Sequence, residues 1–259
     1  MNGVELRDAL HADRPALGAW STTGNPFSIE CMGAAGFDFL LIDLQHSSID
    51  VRTAEEALRA AQLRDCATVV RLPGLDPSFA GRVLDLGANA LLFPTVESAR
   101  QAADAVAACR YPPAGVRSFG PFRASLDLGR EPAALTAGVS CMVMVETVAG
   151  IEAVEEIAAV DGIGAIWVGP SDLALSMGLA PSMSPVPGDH QEAISRVRRA
   201  ANDAGVLAGI PCLSAQDAWA RWCDGFRLVT TGSDVQYLRA SSAADVVTWG
   251  RLTGGESRG

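Results

Sequence analysis

Short apolar runs alternate with amphipathic stretches along most of the chain. The apolar runs are rich in Val, Ile, Leu and Ala and contain few polar positions. Uninterrupted apolar runs of strand length are typical of strands that are buried on both faces, as in a parallel sheet. The stretches between them repeat apolar residues at helical spacing. The pattern therefore predicts an α/β fold that is built from repeated strand–helix units.

Eight such units are found. The predicted strands are residues 17–20, 37–42, 67–71, 88–94, 141–146, 163–168, 206–210 and 226–231. Helix signals follow them: Asn25 before Pro26 predicts an N-cap, Thr53 and Glu56 are spaced as a capping box, and Gly205 fits a left-handed C-cap. Eight units in about 250 residues predict a (β/α)₈ barrel. A Rossmann sheet is the second choice, but no Gly-x-Gly-x-x-Gly turn follows the first three strands.

Three segments depart from this rhythm. Residues 110–140 are rich in Pro, Gly and Arg, and we expect a partly helical excursion near the functional site. Residues 180–189 contain three prolines and predict a loop that covers a site. A lead-in (1–16) and a frayed tail (252–259) flank the barrel. Because no shift in composition marks a boundary, residues 1–259 are expected to form a single domain.

Composition excludes several classes of function. No apolar run reaches the roughly 18 residues of a membrane span, and the first residues lack a signal-peptide pattern. A net charge of −10 argues against a nucleic-acid partner. The 6 cysteines are scattered without a Cys-x-x-Cys pair. We expect them to be reduced, in a cytoplasmic protein.

Two predicted strands end near carboxylates, Glu146 after the fifth strand and Asp172 after the sixth. If these strands are neighbours in a barrel, both side chains converge at its carboxyl edge, where such folds bind their ligands. Two facing carboxylates repel, and a hard divalent cation such as Mg²⁺ or Mn²⁺ relieves the repulsion. The alternative is that each residue forms a separate salt bridge or, for Asp172, a helix cap.

Other polar residues follow further strands on the same predicted rim. They are Trp20, Asp43, His46, Arg71 and the run 230–234. Arg71 ends a buried strand and needs an anion, which the substrate, Asp43 or Glu146 could supply.

His46 is one of 3 histidines in the chain. Its position on the rim favours an acid–base role, with Asp85 as a candidate to orient its ring. An exposed helix charge is the alternative for Asp85. His190 is expected to open a surface helix.

Two further groups could meet an anionic substrate. The turn Gly169-Pro170-Ser171-Asp172 opens a helix, whose free N–H groups can bind a carboxylate, although plain helix capping is the alternative. Arg117 and Arg123 in the excursion could reach a substrate acid or be surface or interface charges, and the latter is favoured.

The ordered markers resemble the HpcH/HpaI aldolase family of metal-dependent (class II) pyruvate aldolases. The resemblance runs from about residue 17 to 234. It rests on Gly-Phe-Asp-Phe-Leu-Leu-Ile-Asp-Leu-Gln-His (36–46), Val-Arg-Leu-Pro (70–73), Leu-Asp-Leu-Gly-Ala (84–88), Arg-Tyr-Pro-Pro-x-Gly-Val-Arg (110–117), Val-Glu-Thr (145–147), Val-Gly-Pro-Ser-Asp-Leu (168–173) and Gly-Ser-Asp (232–234).

The resemblance implies a (β/α)₈ barrel whose last helix is exchanged between subunits, in dimers to hexamers. It implies that Glu146 and Asp172 bind Mg²⁺, Mn²⁺ or Co²⁺, which pyruvate chelates, and that Arg71 stabilises the enolate. It also implies that Ser171 and Asp172 meet the pyruvate carboxylate through their backbone N–H groups. His46 and Asp85 correspond to the acid–base pair. One departure is Met144, where many relatives have Gln.

The activity implied is aldol cleavage of a 4-hydroxy-2-oxo acid to pyruvate and an aldehyde. A cation on the keto oxygen together with a guanidinium stabilises the enolate. The chain contains no lysine, so a Schiff-base aldolase is excluded. A metal-dependent oxaloacetate decarboxylase, which passes through the same enolate, and a non-catalytic binder of 2-oxo acids are the alternatives.

Overall fold

The computed structural model describes residues 16–253, and it confirms the predicted (β/α)₈ barrel. All neighbouring strands are parallel and follow one another in chain order, and the last strand pairs with the first to close the barrel. The strands are β1 (Ala16–Ser21), β2 (Phe39–Asp43), β3 (Ala67–Arg71), β4 (Ala90–Phe93), β5 (Ser140–Val145), β6 (Ile163–Val168), β7 (Leu207–Pro211) and β8 (Leu228–Ser233). Residues 1–15 of the predicted lead-in and 254–259 of the predicted tail lie outside the described residues.

Helices connect successive strands and form the outer layer. They are α1 (Pro26–Ala34), α2 (Val51–Gln62), α3 (Pro77–Asp85), α4 (Ala99–Cys109), α5 (Ala124–Leu128), α6 (Pro132–Ala137), α7 (Val148–Glu152), α8 (Val154–Ala158), α9 (Pro170–Ser176), α10 (Asp189–Asp203), α11 (Ala215–Asp224) and α12 (Asp234–Thr253). The helix predicted at 148–160 is divided in two at Ala153. None of the helices described here combines the length and apolarity needed to cross a membrane.

Helices begin after residues whose side chains accept hydrogen bonds from the free N–H groups of the first helical turn. The Asn25 side chain accepts from the N–H groups of Phe27 and Ser28, as predicted. The predicted capping box at Thr53 is wrong, because Asp50 caps α2 and accepts from the N–H of Thr53. The helix therefore begins at Val51, before the start at Thr53 that the sequence pattern indicated.

Strand side chains alternate between the barrel interior and the layer beneath the helices. In β2, Phe39 and Leu41 point into the interior, whereas Leu40 and Ile42 belong to the core under the helices. The largest interior side chain is Trp167 of β6, which is fully buried.

Room for Trp167 is made by a glycine on the neighbouring strand. A Cβ at Gly209 would lie 2.5 Å from the Trp167 ring, so no other residue fits there without a shift. The packed interior closes the barrel below the carboxyl ends of the strands.

The excursion at 110–140 contains α5 and α6, so its partly helical character is confirmed. It joins α4 to β5 and therefore lies at the amino-terminal end of the strands, not near the rim where the site was expected. The N–H of Arg123 donates to the carbonyl of Asp85 (2.9 Å), and its guanidinium donates to that of Leu86 (2.8 Å). Both contacts tie the excursion to the end of α3.

The Asp234 carboxylate fastens the start of α12 to the loop after β1. It accepts from the hydroxyls of Ser21 (2.9 Å), Thr22 (3.0 Å) and Thr23 (2.6 Å), and from the N–H groups of Thr22 and Thr23. Burial by itself raises the pKa of Asp234. The hydrogen bonds outweigh that effect and hold the pKa below its ordinary value of 3.8.

We expect Asp234→Ala to lower the free energy of unfolding by roughly 2–4 kcal/mol at pH 7, because several donors lose a charged acceptor. A depressed pKa stabilises the folded state above the ordinary pKa and loses this effect as the pH falls through the folded pKa. The difference from wild type should therefore shrink below pH 3.8. Urea unfolding at several pH values measures it, with Asp245→Ala on the exposed part of α12 as the matched control. A difference that persists unchanged at acid pH would contradict this account.

Candidate active site

A cavity of about 270 Å³ opens at the carboxyl ends of the strands. It brings together most of the residues that the sequence singled out: Trp20, His46, Arg71, Glu146 and the turn 169–172. Asp43 and Met144 also line it. Side chains from both halves of the barrel therefore meet in one space, as expected for this fold.

The alternation of the strands explains why these side chains point inward. Asp43 follows Leu41 by two residues on β2, and Asp43 pairs in register with Arg71 on β3. Glu146 similarly follows Met144, another interior residue, by two positions. Each functional side chain is the next inward position above the packed interior.

Arg71 and Asp43 form a buried, bidentate ion pair. Arg71 Nε donates to Oδ1 of Asp43 (2.8 Å) and Nη2 donates to Oδ2 (2.6 Å). The guanidinium also lies over the ring of Trp20, with 4.6 Å from Cζ to the ring centroid. Of the anions that the sequence left open for Arg71, Asp43 is the one in contact. Nη1 is the nitrogen that Asp43 does not engage.

Glu146 is buried, with 3% of its surface exposed. Its Oε1 accepts from the N–H of Thr95 (2.9 Å) and from the Thr95 hydroxyl (3.0 Å). Burial raises the pKa of Glu146, and the charge of Asp172 raises it further, against the opposing effects of Thr95 and Arg71. The two carboxylates are thus close enough to repel.

Thr95 is a site residue that the sequence analysis missed. It follows β4 and has a φ of +54°, a left-handed conformation that is costly for a β-branched residue. This conformation lets both its N–H and its hydroxyl donate to Glu146. A strand-end search extended to the fourth strand would have found it.

Gly169 and the first turn of α9 bring Asp172 into the cavity that Glu146 lines. A Cβ at Gly169 would lie 2.1 Å from Oε2 of Glu146, so only glycine allows this approach. Pro170 has no N–H, and the N–H of Leu173 bonds to the carbonyl of Gly169 (3.0 Å). The N–H groups of Ser171 and Asp172 precede that bond and have no partner within the helix.

Three carboxylates line this cavity, and Asp43 is held in the ion pair with Arg71, which leaves Glu146 and Asp172 as carboxylate ligands for a metal ion. Within residues 16–253, no group of three or more His, Cys, Asp or Glu residues could hold one. Mg²⁺ and Mn²⁺ are commonly held by one or two carboxylates, with water and substrate as the remaining ligands. Burial and the charge of Asp172 raise the pKa of Glu146, so a nearby cation would stabilise its ionised form. The donor set therefore fits a hard divalent cation.

The structure does not bring Asp85 to His46. Asp85 ends α3 at the amino-terminal end of the barrel, where Oδ1 accepts from Nη2 of Arg117 (3.0 Å). His46 lies at the opposite end and is exposed at the cavity. Within one chain the expected pair does not form, because a helix between two strands returns to the far end of the barrel. No side chain in the described part of the chain holds the His46 ring.

Arg117 and Arg123 are likewise absent from the cavity. Arg117 is buried beside Asp85 and lies over the ring of Tyr111, with 4.6 Å from Cζ to the centroid. Arg123 bonds to Gln62 and to the carbonyl of Leu86. Neither side chain can meet a substrate bound at the rim of the same barrel. For Arg117 the favoured alternative of a surface charge is also wrong, because its side chain is buried.

His190 was expected on a surface helix, but it is buried, with 1% of its surface exposed. Its ring lies between the segment 180–189 and the turn that opens α9, and bonds to both. Met183 of that segment lines the cavity, so the expectation that the proline-rich loop covers a site agrees with its position.

Known proteins are similar in sequence to this chain over most of its length. The sequence profile of the HpcH/HpaI aldolase/citrate lyase family matches residues 16–240. A hydroxypyruvate/pyruvate aldolase from Roseovarius nubinhibens is 37% identical, with 94% of this chain and 96% of that protein covered. A 4-hydroxy-2-oxovalerate aldolase from Rhodococcus jostii is 38% identical, with coverage of 92% and 93%.

Among solved structures, a HpcH/HpaI aldolase/citrate lyase family protein from Burkholderia cenocepacia has a TM-score of 0.85 and 34% identity, over 93% of this chain and 97% of that one. The match thus extends over nearly the whole length of each protein. Sequence, fold and the position of the cavity agree, and the chain belongs to the HpcH/HpaI aldolase/citrate lyase family.

Proposed function

We propose that this aldolase is a divalent-metal-dependent (class II) enzyme that cleaves a 4-hydroxy-2-oxo acid reversibly to pyruvate and an aldehyde. The observation that carries the proposal is the buried carboxylate of Glu146, which faces Asp172 and Arg71 in one cavity. The named oxo-acid aldolases among its relatives support the substrate class. The absence of lysine from the sequence leaves metal-assisted enolate chemistry as the route for an aldolase.

Glu146 and Asp172 are the proposed ligands of Mg²⁺, Mn²⁺ or Co²⁺. A cation bound there would supply Lewis-acid stabilisation of negative charge on the substrate's keto oxygen. Thr95 occupies Oε1 of Glu146 with two hydrogen bonds, which fixes the carboxylate and leaves Oε2 toward Gly169. The residues present therefore fit the family's cation without any further ligand from the chain.

Arg71 is the proposed electrostatic partner of the enolate. Asp43 holds two of its three guanidinium nitrogens, and the Trp20 ring supports its face, so the side chain is fixed before substrate arrives. Such preorganised charge stabilises an enolate without reorganisation. The free N–H groups of Ser171 and Asp172 would bind the pyruvate carboxylate, and Gly169 and Pro170 shape the turn that presents them.

His46 is the proposed acid–base group for the aldol hydroxyl. It lies at the cavity and is exposed, so its ring can exchange protons with solvent. Met144 stands beside Glu146 in the cavity, where an apolar side chain cannot donate to the substrate. It would favour an aldehyde partner with an apolar contact at that position.

We further propose a cytoplasmic homo-oligomer. The 6 cysteines, all free thiols, suit a reducing compartment. Helix α12 leaves Leu238, Val246, Trp249 and Leu252 exposed at 70%, 62%, 69% and 77% in a single chain. Large exposed apolar side chains along one terminal helix support its exchange between subunits.

Exchange of the methyl protons of pyruvate in D₂O tests the function directly. We expect exchange that depends on added Mg²⁺ or Mn²⁺ and that NMR detects in the absence of any aldehyde. Pyruvate binding without exchange would indicate a non-catalytic binder instead. Exchange accompanied by pyruvate release from oxaloacetate, but from no aldol, would select the decarboxylase.

Glu146→Gln should stabilise the metal-free protein at pH 7. In wild type the pKa of Glu146 is higher in the folded than in the unfolded state, so the neutral carboxyl stabilises the folded protein at low pH. Wild type loses this stability as the pH rises from 4.5 through the folded pKa. The amide removes the charge but keeps an acceptor for Thr95. Thermal unfolding between pH 5 and 8 should show a pH-dependent loss in wild type that the variant lacks.

The same variant should lose its response to metal. Wild type should gain about 2.7 kcal/mol in Mn²⁺ at a hundred times its Kd, and the variant almost nothing. Glu156→Gln, on the exposed face of α8, is the matched control and should behave as wild type. An undiminished response to Mn²⁺ in Glu146→Gln would remove this residue from the metal site.

His46→Ala should slow aldol cleavage by roughly 10²–10⁴-fold, because the proton transfer loses its side-chain partner. Pyruvate binding should remain close to wild type, since among the described residues no hydrogen bond joins the His46 ring to Glu146 or to the turn 169–172. Steady-state kinetics and calorimetric titration with pyruvate in the presence of Mn²⁺ separate the two. Equal losses in both measurements would assign His46 a structural role.

A further inference from the structure

Both nitrogens of the His190 ring bond to backbone atoms of segments that bound the candidate site. Nδ1 lies 2.9 Å from the nitrogen of Val186, and Nε2 lies 2.9 Å from the carbonyl oxygen of Pro170. Val186 belongs to the segment that carries Met183, and Pro170 opens the turn that carries Asp172. Met183 and Asp172 both line the cavity.

These partners assign a single tautomer. The N–H of Val186 can only donate, so Nδ1 must be unprotonated and accept. The carbonyl of Pro170 can only accept, so Nε2 must carry the proton. A neutral ring with the proton on Nε2 satisfies both bonds, and the buried position shields them from competing water.

The bond to Pro170 acts at the start of a short helix. Asp172 lies in the first turn of α9, and the turn is otherwise set by Gly169, which must stay small beside Glu146. Fixing the Pro170 carbonyl fixes the direction in which this turn presents the Asp172 carboxylate and the N–H of Ser171.

The bond to Val186 acts on the other wall. Val186 lies between two prolines, which have no N–H, so its own N–H is the backbone donor at that point of the segment. Val186 donates to His190, and its carbonyl accepts from the N–H of Gln191 (3.1 Å). The two bonds attach the segment to the first turn of α10 and hold Met183 over the cavity.

We propose that His190 is a positioning residue that sets the metal-binding turn through Nε2 and the Met183 wall through Nδ1. This inference rests on the proposed function, because it assigns the first bond to cation binding and turnover and the second to recognition of the aldehyde. The ring touches no substrate or cation itself. It couples the turn at Pro170 with the segment at Val186, two parts of the site that belong to different segments of the chain.

Two substitutions separate the two bonds. In His190→Asn, Oδ1 occupies the place of Nδ1 and can still accept from Val186, while the donor to Pro170 is lost. In His190→Gln, the terminal amide reaches the place of Nε2 and can still donate to Pro170, while the acceptor for Val186 is lost. Gln191→Ala, on the exposed side of the same helix, is the control.

Amide hydrogen exchange of Val186 in the metal-free protein measures the Nδ1 bond without any activity. We expect wild-type protection in His190→Asn and exchange that is faster by roughly fivefold to tenfold in His190→Gln. Calorimetric titration with Mn²⁺ measures the other bond. We expect the Kd to rise by roughly fivefold to tenfold in His190→Asn and to stay near wild type in His190→Gln.

Kinetics should divide in the same way. His190→Asn should lower kcat with little change in KM for the aldehyde, and His190→Gln should raise that KM with little change in kcat. Equal losses in the two variants, or unchanged Val186 exchange in His190→Gln, would overturn the proposal and leave His190 a general packing residue.

A measurement on wild type keeps the proposal testable if a variant does not fold. The ¹⁵N NMR resonances of the His190 imidazole should show a protonated Nε2 and an unprotonated Nδ1, and the opposite tautomer would overturn the proposal. Failure of the proposed function is distinguishable, because wild type would then neither exchange the methyl protons of pyruvate nor bind Mn²⁺, whereas the tautomer and the exchange of Val186 would be unaffected.

Discussion

The buried carboxylate of Glu146 is the constraint on which the structure at the carboxyl ends of the strands depends. Glu146 is buried beside the charge of Asp172, and within residues 16–253 no arginine forms an ion pair with it. Removing an ionised carboxylate from water is unfavourable unless a partner compensates it. The interior position that follows Met144 on β5 leaves the side chain no other direction. The proposed divalent cation, shared with Asp172, would compensate this charge and would supply the Lewis acid of the proposed class II chemistry.

The surroundings of Glu146 are arranged to tolerate this burial. Thr95 adopts a costly left-handed conformation and in return donates twice to one carboxylate oxygen. The absence of a side chain at Gly169 leaves room for Oε2 of Glu146. Such local costs are borne by the rest of the fold, where the packed interior around Trp167 and the anchoring of α12 by Asp234 contribute stability. Thr95 and Glu146 thus place an uncommon backbone conformation and an unfavourably buried charge at the site, above the well-packed interior around Trp167.

Two different devices fix the charged groups of the site. Arg71 is held by charge and stacking, with Asp43 at its edge and Trp20 on its face. The turn of Asp172 is instead held through neutral hydrogen bonds, with His190 linking it to the segment of Met183. The first device preserves a full positive charge for the substrate. The second adds no charge near the two carboxylates, so it leaves their repulsion for a cation to relieve.

The sequence by itself determined the architecture and most of the rim. Uninterrupted apolar strands at regular spacing are a local property of the chain. They sufficed for eight strands in a barrel and for the strand ends at which Arg71 and Glu146 lie, with Asp172 in the turn after β6. Local capping was less secure, since Asp50 and Thr53 both offer an acceptor at the start of α2.

Only the tertiary structure decided which polar groups meet. It placed Arg71 against Asp43 and placed Asp85 at the opposite end of the barrel from His46. It also brought Thr95 into contact with Glu146, and the buried His190 into contact with the turn before Asp172. Helical spacing and strand length describe a residue's neighbours along the chain. The partner of a charged or hydrogen-bonding side chain is set by the closure of the barrel, which brings together residues that no local pattern relates.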